Sequence, residues 1–306
     1  MEDNTQTEGI ITKGVGGTYT VRLLNGDRIL CQIRGGIRKS GVVPAVGDNV
    51  KVSESGDPDV PYVIDEILPR MNYLIRPSVA NIDCLILTFA VVDPVPDLTL
   101  TDKLLIICAS LNIRTVLLFT KCDLDPVLAD NLSGIYSDAG FEVFRSSKDA
   151  LFSAKELEEV SPSGIVAFAG PSGVGKSTIC NNILESDIMQ TGVVSDRLKR
   201  GKHTTRHVEL FDTATGFITD TPGFTSLSLF DIGTDYKDVV FGYPEIMKAA
   251  TRCRFDDCRH ISETGCAVLE ELESGTIDRG RYDRYREEYE YLYNNRNNYK
   301  RRIRPV

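Results

Sequence analysis

The sequence predicts three domains of different fold class: an N-terminal all-β OB-fold barrel, a central α/β domain, and a C-terminal mainly helical domain. Three observations support this prediction. Short strands with turn residues fill residues 1–70, and buried strands alternate with helical segments over residues 71–233. Residues 234–306 are polar, charged and mostly helical around a cysteine cluster. A chain of 306 residues is long enough for this number of domains.

The barrel prediction begins with a hairpin. The stretch TYTVRLLNGDRILCQI alternates in polarity around Asn25-Gly26-Asp27, which is a strong signal for a tight turn. DNVKVS and YVIDEIL are predicted to form further short strands. Several short strands of this kind suggest a small barrel, of which the OB-fold is one option. Because that class often binds oligonucleotides, we expect residues 1–70 to bind RNA, although a fold alone does not establish a function.

The α/β prediction comes from continuous apolar runs. IDCLILTFA, TVLLFTKCDL and GIVAFAG have the composition of strands that are buried on both faces. TDKLLIICASLN is predicted to be helical with Thr101 as a possible N-cap, and STICNNIL is predicted to form a second helix. TGFITDTPG predicts one more strand ending in a polar turn. This alternation is typical of a parallel sheet.

Composition and charge limit the possible functions. The chain is 42% hydrophobic without an apolar run of about 18 residues, so no membrane span is expected. The acidic start MEDNTQTEG is unlike a signal peptide, which predicts a cytoplasmic protein with reduced thiols. Five scattered cysteines are therefore expected to be buried small hydrophobes: Cys31, Cys84, Cys108, Cys122 and Cys180.

The net charge of −9 argues against a nucleic-acid partner only if charge is spread evenly, and it is not. One loop concentrates Arg197, Lys199, Arg200, Lys202 and Arg206. The chain ends with Arg296, Lys300, Arg301, Arg302 and Arg304. Such runs are either solvated surface or RNA-binding patches, and the sequence leaves both open.

A phosphate-binding loop follows the strand GIVAFAG. The P-loop pattern G-x4-G-K-[ST] comprises Gly170, Pro171, Ser172, Gly173, Val174, Gly175, Lys176, Ser177 and Thr178. The glycines allow backbone N–H groups to converge on a phosphate at the positive end of the following helix. Lys176 is expected to bind the β- and γ-phosphates, and Ser177 to bind the Mg²⁺ that accompanies the nucleotide.

Two further motifs point to GTP. Thr120, Lys121, Cys122 and Asp123 have the form of a guanine-recognition motif, in which a carboxylate accepts hydrogen bonds from N1–H and the 2-amino group. Asp220 and Gly223 fit a D-x-x-G motif, where the carboxylate holds Mg²⁺ through water and the glycine senses the γ-phosphate. Ser146 or Ser147 could supply a backbone contact to the guanine oxygen, although a plain surface turn explains them equally well.

The order of these motifs is unusual. The guanine motif precedes the P-loop, whereas in ordinary GTP-binding domains it follows. Each motif ends a predicted strand, and ligands of open α/β sheets bind at that edge whatever the order of strands in the chain. The sequence therefore predicts a circularly permuted GTPase. Its switch loops lead directly into the C-terminal region.

That region carries a candidate metal site of four residues: Cys253, Cys258, His260 and Cys266. Three thiolates and one imidazole complete a closed tetrahedral Zn²⁺ site, and such a site is structural because it leaves no position open for substrate. We expect one Zn²⁺ per chain. The alternative is a group of buried cysteines beside a chance histidine.

Catalysis is harder to assign. Thr204 or Thr205 is the natural switch threonine for Mg²⁺ and the γ-phosphate. Phe224 follows Gly223, where many GTPases have a glutamine that orients the attacking water. His203 is the nearest candidate to replace it, and the equally weighted alternative is that His203 only contacts phosphate or RNA.

A stripe of apolar and aromatic side chains at helical spacing follows the cluster: Tyr282, Tyr285, Tyr289 and Leu292. It predicts helix packing first, and base stacking as a less favoured alternative.

Over nearly the whole chain, the sequence closely resembles the ribosome small-subunit-dependent GTPase A family. The resemblance rests on five motifs in this order: TKCD, GPSGVGKST, GKHTT, DTPG and the cysteine cluster. The resemblance implies a cytoplasmic, bacterial GTPase that binds ribosomal RNA, assists late maturation of the small ribosomal subunit, and hydrolyses GTP to GDP faster on the subunit. It also accounts for a hydrophobic residue at Phe224. One departure is Thr120, where Asn is commoner, but a threonine can still hold the P-loop.

Two alternatives belong to other classes. A P-loop kinase would phosphorylate a small acceptor, and would need neither TKCD nor zinc. An RNA-binding scaffold would hold GTP as a structural ligand without turnover. For the GTPase we expect a monomer.

Overall fold

The computed structural model describes residues 6–58, 60–186, 208–221, 224–230 and 232–299. Within these residues the chain forms two compact units, each assembled from separate stretches. The first unit comprises Met1–Cys84, Ser153–Ala169 and Lys176–Phe224. The second comprises Leu85–Phe152, Gly170–Gly175 and Thr225–Val306.

The strands are β1 (Thr7–Val15), β2 (Thr18–Leu23), β3 (Arg28–Ile33), β4 (Asn49–Asp57), β5 (Val60–Ile67), β6 (Tyr73–Leu74), β7 (Val79–Ala80), β8 (Cys84–Ala90), β9 (Arg114–Thr120), β10 (Val143–Arg145), β11 (Gly164–Ala169), β12 (Phe211–Asp212) and β13 (Gly216–Asp220). The helices are α1 (Gly35–Ser40), α2 (Leu98–Ser110), α3 (Pro126–Asp138), α4 (Ala154–Val160), α5 (Lys176–Leu184), α6 (Pro244–Ala250), α7 (Ala267–Glu273) and α8 (Arg279–Tyr299).

In the first unit, the N-terminal strands form the predicted barrel. It is closed, with the strand order β1-β2-β3-β5-β4, and it is OB-like. The predicted hairpin joins β2 to β3, and Gly26 adopts the positive φ of 96° that its turn requires. Alternating side chains fill the interior: Ile11, Val21, Cys31, Val50, Val52 and Ile64.

The first unit also contains strands of the α/β domain. β11 is parallel to β13 with Phe168 opposite Asp220, and β12 is antiparallel to β13. β11 is buried from Ile165 to Ala169, as its continuous apolar run predicts.

In the second unit, β10, β9 and β8 are neighbours in that order, and β10 is parallel to β9. Every residue of β8 is buried, which confirms the prediction for this strand. The prediction that Thr101 caps the following helix is wrong. The N-cap is Asp97, four residues earlier, because its side chain accepts the N–H of Leu100 at 3.0 Å. The Thr101 hydroxyl instead donates to the Asp97 carbonyl within the helix.

The C-terminal helices confirm the packing interpretation of the aromatic stripe. Tyr282, Tyr285, Tyr289 and Leu292 are all buried. The same helix, α8, carries Arg281, which is fully buried and forms an ion pair with Asp102 of α2. The C-terminal helical region is therefore joined to the α/β domain through the interior of the second unit.

The expectation for the five scattered cysteines is confirmed, because all of them are buried and none forms a disulfide. Among the described residues, none of the helices combines the length and apolarity that crossing a bilayer requires. The domain boundaries after residues 70 and 233 stay predictions.

Candidate functional site

The P-loop turn depends on its glycines. Gly170 has a φ of 151°, and a Cβ atom there would lie 2.0 Å from the carbonyl oxygen of Thr88, so only glycine fits. Gly173 and Gly175 have φ values of 83° and 98°, which other residues rarely adopt. Conformations of this kind allow successive backbone N–H groups to turn toward one side of a loop, as phosphate binding requires.

Thr120 holds this loop in place, as the sequence predicts. Its hydroxyl donates to the carbonyl oxygen of Val174 at 2.6 Å, and both residues are buried. The bond joins the guanine-recognition motif to the P-loop within the second unit. Thr120 therefore performs the positioning that we expected despite the departure from the commoner asparagine.

The rest of the guanine-recognition motif forms a tight turn after β9. Lys121 has a positive φ of 56°, and its ammonium group donates to the carbonyl oxygen of Asp93. The N–H of Cys122 donates to the carbonyl oxygen of Ser146 at 3.1 Å. Asp123 is exposed, and one of its carboxylate oxygens accepts the N–H of Lys148 at 3.1 Å. This bond orients the carboxylate, and sequence analysis did not identify Lys148.

Ser146 and Ser147 lie beside this turn. The N–H of Ser146 donates to Phe119 at 2.8 Å, and that of Ser147 donates to Ala150 at 2.9 Å. Both backbone donors thus already have partners in the protein. Their contact with a guanine oxygen stays a prediction.

The first unit carries Lys176, Ser177 and Asp220. α5 begins at Lys176, directly after the P-loop glycines, and β13 ends at Asp220. The next residue, Thr221, donates both its N–H and its hydroxyl to the carbonyl oxygen of Phe168, at 3.0 and 2.9 Å. This pair of bonds fixes the chain immediately after Asp220. Burial raises the pKa of the Cys180 thiol. The charge of Asp220 raises this pKa further, and the charge of Lys176 lowers it, so both side chains are close enough to Cys180 to affect its titration.

Phe224 is fully buried, so its side chain cannot orient a water molecule at a solvated phosphate. His203, Thr204, Thr205 and Gly223 lie outside the described residues.

The predicted metal ligands come together. One ligand atom from each of Cys253, Cys258, His260 and Cys266 lies within 4.8 Å of all the others. The Sγ atoms of Cys253 and Cys266 are 3.9 Å apart, and each lies 3.5 Å from Nδ1 of His260. Tetrahedral Zn²⁺ with bonds of about 2.3 Å to sulfur and about 2.0 Å to nitrogen needs ligand atoms about 3.5 to 3.8 Å apart. The residues therefore fit a closed metal site.

Burial favours the neutral forms of these ligands when no cation is bound. It raises the pKa of the Cys258 thiol to about 12, and it lowers the pKa of the His260 imidazole. A bound cation reverses this preference for the thiol, because it stabilises the thiolate directly.

Glu263 supports the loop that carries the ligands. Its carboxylate accepts the backbone N–H groups of Arg259, Ile261 and Ser262. Burial raises the pKa of Glu263, but these three bonds outweigh burial and lower it to about 2. Tyr282 of α8 donates to the carbonyl oxygen of His260 at 2.7 Å. The sequence offered no signal for Glu263 beyond its place between two ligands.

Two family models match this chain. The one described as RsgA GTPase matches residues 67–230, and the one described as RsgA N-terminal domain matches residues 8–59. A relative from Ruminiclostridium cellulolyticum, named small ribosomal subunit biogenesis GTPase RsgA, is 45% identical over 287 residues and 93% of both chains. A relative of the same name from Clostridium novyi is 40% identical over 283 residues, covering 91% of this chain and 94% of its own.

Two solved structures share the fold. One, described as YloQ, a circularly permuted GTPase, has a TM-score of 0.75 and 29% identity, and covers 100% of this chain and 99% of its own. YjeQ from Thermotoga maritima has a TM-score of 0.77 and 30% identity, and covers 94% of this chain and 99% of its own. With its P-loop, permuted motif order, OB-like barrel and Cys/His cluster, the chain belongs to the RsgA GTPase family, and it is a circularly permuted enzyme that hydrolyses GTP.

Proposed function

We propose that this enzyme binds the small ribosomal subunit through its ribosomal RNA, assists late maturation of that subunit, and hydrolyses GTP faster when bound. The observation that carries this proposal is the 45% identity over 93% of both chains to a relative named for small-subunit biogenesis. The OB-like barrel supports it, because that fold often binds oligonucleotides. The protein acts as a monomer in the cytoplasm.

The nucleotide roles follow the motifs. Residues 170–178 surround the phosphates, with Lys176 at the β- and γ-phosphates. Thr120, Lys121, Cys122 and Asp123 recognise guanine, with a backbone contact from Ser146 or Ser147. The hydroxyl of Ser177 and the carboxylate of Asp220 are hard oxygen donors of the kind that Mg²⁺ prefers. When bound, Mg²⁺ neutralises charge on the phosphates.

The switch residues complete the enzyme. Gly223 senses the γ-phosphate, and Thr204 or Thr205 contacts it together with Mg²⁺. Because Phe224 is buried, another group must orient the attacking water. We assign this role to His203, which lies in the basic loop beside residues that would meet RNA phosphates.

The C-terminal cluster holds one structural Zn²⁺ through Cys253, Cys258, His260 and Cys266. The three-thiolate, one-imidazole donor set and its spacing support zinc over harder cations. Residues 1–70, 71–233 and 234–306 act as the RNA-binding barrel, the permuted GTPase domain and the zinc-binding domain.

The decisive experiment measures phosphate release from GTP by the purified chain, alone and with purified small subunits. We expect slow turnover alone and a marked increase with small subunits, whereas large subunits, as the control, have no effect. Negligible turnover under both conditions favours a scaffold in which GTP is structural. A phosphorylated acceptor in place of free phosphate identifies a kinase.

The catalytic assignment is tested with His203→Ala. A positioned acid–base group typically contributes about 10²- to 10⁴-fold, so this variant should lose most of the subunit-stimulated rate while GTP affinity stays unchanged. His207→Ala is the matched control, because it removes the same side chain from the same loop. If stimulated turnover survives His203→Ala within about twofold, a ribosomal group or the backbone orients the water.

A further inference from the structure

The β12–β13 hairpin is the element that delivers Asp220. Phe211 and Asp212 of β12 pair with Ile218 and Phe217 of β13, and β13 ends at Asp220. Because this pairing is antiparallel, the residues before Phe211 run toward the end of β13 that carries Asp220. Whatever holds this hairpin therefore acts on the position of Asp220, together with the pairing of β13 with β11.

The barrel holds one edge of the hairpin through a bulge. The β1–β2 register shifts between Ile11 and Lys13, which leaves Thr12 outside the ladder. The Thr12 carbonyl accepts the N–H of Leu210 at 2.9 Å. Lys13 forms an antiparallel bridge with Glu209, and their side chains form an ion pair of 2.6 Å. Bulges redirect backbone groups in this way next to functional sites.

Two arginines hold the hairpin at Asp212. Arg22 Nε lies 2.9 Å from one carboxylate oxygen of Asp212, and Arg28 contacts the other. The Arg22 guanidinium also lies 5.4 Å from the ring centroid of Phe217, the cross-strand partner of Asp212. We call the contacts of Thr12, Lys13, Arg22 and Arg28 with Glu209, Leu210 and Asp212 the barrel–hairpin contact.

The positions of Arg22 and Arg28 destabilise the barrel when the hairpin contact is left out of account. Arg22 and Arg28 are directly opposite each other in the β2–β3 ladder, where like charges are destabilising. Asp212 accepts from both and offsets that repulsion. Among the residues that the structure describes, both of these opposed cations form their ion pair with Asp212 of the hairpin. This arrangement indicates a requirement at the hairpin rather than within the barrel.

We propose that Arg22 and Arg28 are positioning residues for GTP hydrolysis, which act through Asp212 and the β12–β13 hairpin on Asp220. The inference rests on the proposed role of Asp220 at Mg²⁺. Catalysis tolerates little misplacement, because a shift of about 1 Å can cost about 10²-fold in rate. The barrel thereby contributes to the rate of GTP hydrolysis, in addition to any role that it has in binding RNA.

The test compares two carboxamide substitutions that each neutralise a carboxylate paired with a barrel cation. Asp212→Asn weakens the barrel–hairpin contact. Glu66→Gln is the matched control, because Glu66 pairs with Lys51 at 2.8 Å within the barrel and does not touch the hairpin. The measurements are kcat, KM for GTP, and the Mg²⁺ concentration that gives half the maximal rate.

We expect Asp212→Asn to lower kcat by about three- to tenfold and to raise the half-maximal Mg²⁺ concentration, with KM for GTP within about twofold. Glu66→Gln should behave as wild type. Asp212→Glu should recover most of the rate, because it keeps the charge. A merely structural role would not change the Mg²⁺ requirement.

A second comparison shows whether the residues act as one unit. Arg28→Ala combined with Asp212→Asn should lose no more rate than Asp212→Asn alone, because both changes break the same contact. The inference is overturned if the rate losses of the two single variants multiply in the combined variant, or if Asp212→Asn changes neither kcat nor the Mg²⁺ requirement. Either result leaves the proposed function intact. A wild-type protein that releases no phosphate from GTP overturns the proposed function and this inference with it.

Discussion

Ion pairs attach the barrel to the β12–β13 hairpin in the first unit and helix α8 to helix α2 in the second unit. The two sets of ion pairs differ in their exposure to solvent. In the first unit, the side chains of Arg22, Arg28 and Asp212 are 36%, 38% and 43% exposed. In the second unit, those of Arg281 and Asp102 are 0% and 1% exposed. Exposed pairs contribute about 0 to 1 kcal/mol each, whereas breaking a buried pair costs about 3 to 5 kcal/mol. The barrel is therefore attached to the hairpin by weak ion pairs, whereas α8 is attached to α2 by a strong one.

Each charged side chain of the buried attachment has an oppositely charged partner. Arg281 contacts Asp102 at 2.6 Å and Glu245 at 2.7 Å, and it donates to the Gly242 carbonyl at 3.0 Å. Arg284 contacts the second carboxylate oxygen of Asp102. Burial lowers the pKa of Arg281, but Asp102 and Glu245 outweigh burial and hold it above its ordinary value. Geometry of this quality is what offsets the desolvation of buried ions.

The largest effect is expected at the Cys/His cluster, where we propose a structural Zn²⁺. Structural Zn²⁺ binds zinc-finger peptides with about 10 to 16 kcal/mol, so Cys253→Ser combined with Cys258→Ser should unfold the loop around residues 253–266. Zinc released to a chelator under denaturing conditions should fall from about one per chain to none. Amide exchange in α8 near Arg281 should change far less, because the buried ion pairs remain.

The control for the metal prediction is Cys31→Ala, which removes a buried thiol inside the barrel and should leave the zinc content unchanged. Wild-type protein without zinc, or a double variant that retains it, would refute the site. Loss of protection throughout α8 would show that the metal, and not Arg281, attaches this helix.

The next effect is expected at Arg281. Arg281→Met leaves the buried Glu245 without its cation and leaves Asp102 paired with Arg284 alone, so the free energy of unfolding should fall by about 3 to 5 kcal/mol. Arg286→Ala is the control, since it removes an exposed partner of Glu290 from the same helix and should cost less than about 0.5 kcal/mol. Urea denaturation measures both. A loss below about 1 kcal/mol at Arg281 would remove the contrast between the two attachments.

These two attachments also mark the limit of what the sequence could predict. The barrel strands, β8 and the clustering of three cysteines with a histidine were predictable, because each depends on neighbouring residues or on a fixed spacing. The Arg281–Asp102 pair joins residues far apart in the chain, and no local pattern says which acid an arginine meets. The bulge at Thr12 was invisible for the same reason, since it is defined by the partner strand.

The Thr101 prediction was wrong for a local reason. The continuous apolar run of α2 begins at Leu104, whereas leucine and threonine alternate in its first turn, so that turn resembles part of the preceding loop. The start of the helix is marked by the side chain of Asp97, which accepts the N–H of Leu100. By contrast, the function of Thr120 was predictable, because its motif requires a side chain that reaches the P-loop.

A smaller effect, on binding rather than stability, is expected in the guanine-recognition motif of the second unit. Asp123→Asn should weaken GTP binding by about 100-fold or more, because a site built for paired hydrogen bonds rejects a ligand that leaves them unmade. It should favour xanthosine triphosphate, whose 2-oxo group suits an amide donor. Equilibrium binding of both nucleotides measures the change.

Asp125→Asn is the matched control for Asp123→Asn. Asp125 caps α3 by accepting the N–H of Leu128 at 2.9 Å, and asparagine caps about equally well. This variant should bind GTP as wild type does. Unchanged GTP affinity in Asp123→Asn would remove that carboxylate from the site, and with it the assignment of this unit to base recognition.

The smallest effect is expected at the barrel–hairpin contact, and its dependence on salt distinguishes the two attachments most directly. Raising ionic strength from 0.1 to 1 M shortens the screening length from about 10 to about 3 Å, which weakens exposed pairs and leaves buried ones nearly unchanged. The Leu210 amide, which donates to Thr12, should therefore exchange faster in high salt. The Tyr282 amide, which donates to Asp278 beside Arg281, should not respond.

Asp212→Asn completes this last prediction. The variant breaks two exposed pairs and should lose only about 0 to 2 kcal/mol of unfolding free energy. Its Leu210 amide should exchange at low salt nearly as fast as the wild-type amide does at high salt. Both treatments weaken the same ion pairs, so their effects on this amide should not add. If exchange at Leu210 is insensitive to salt, backbone pairing alone holds the hairpin, and the barrel attachment is then as fixed as the buried one in the second unit.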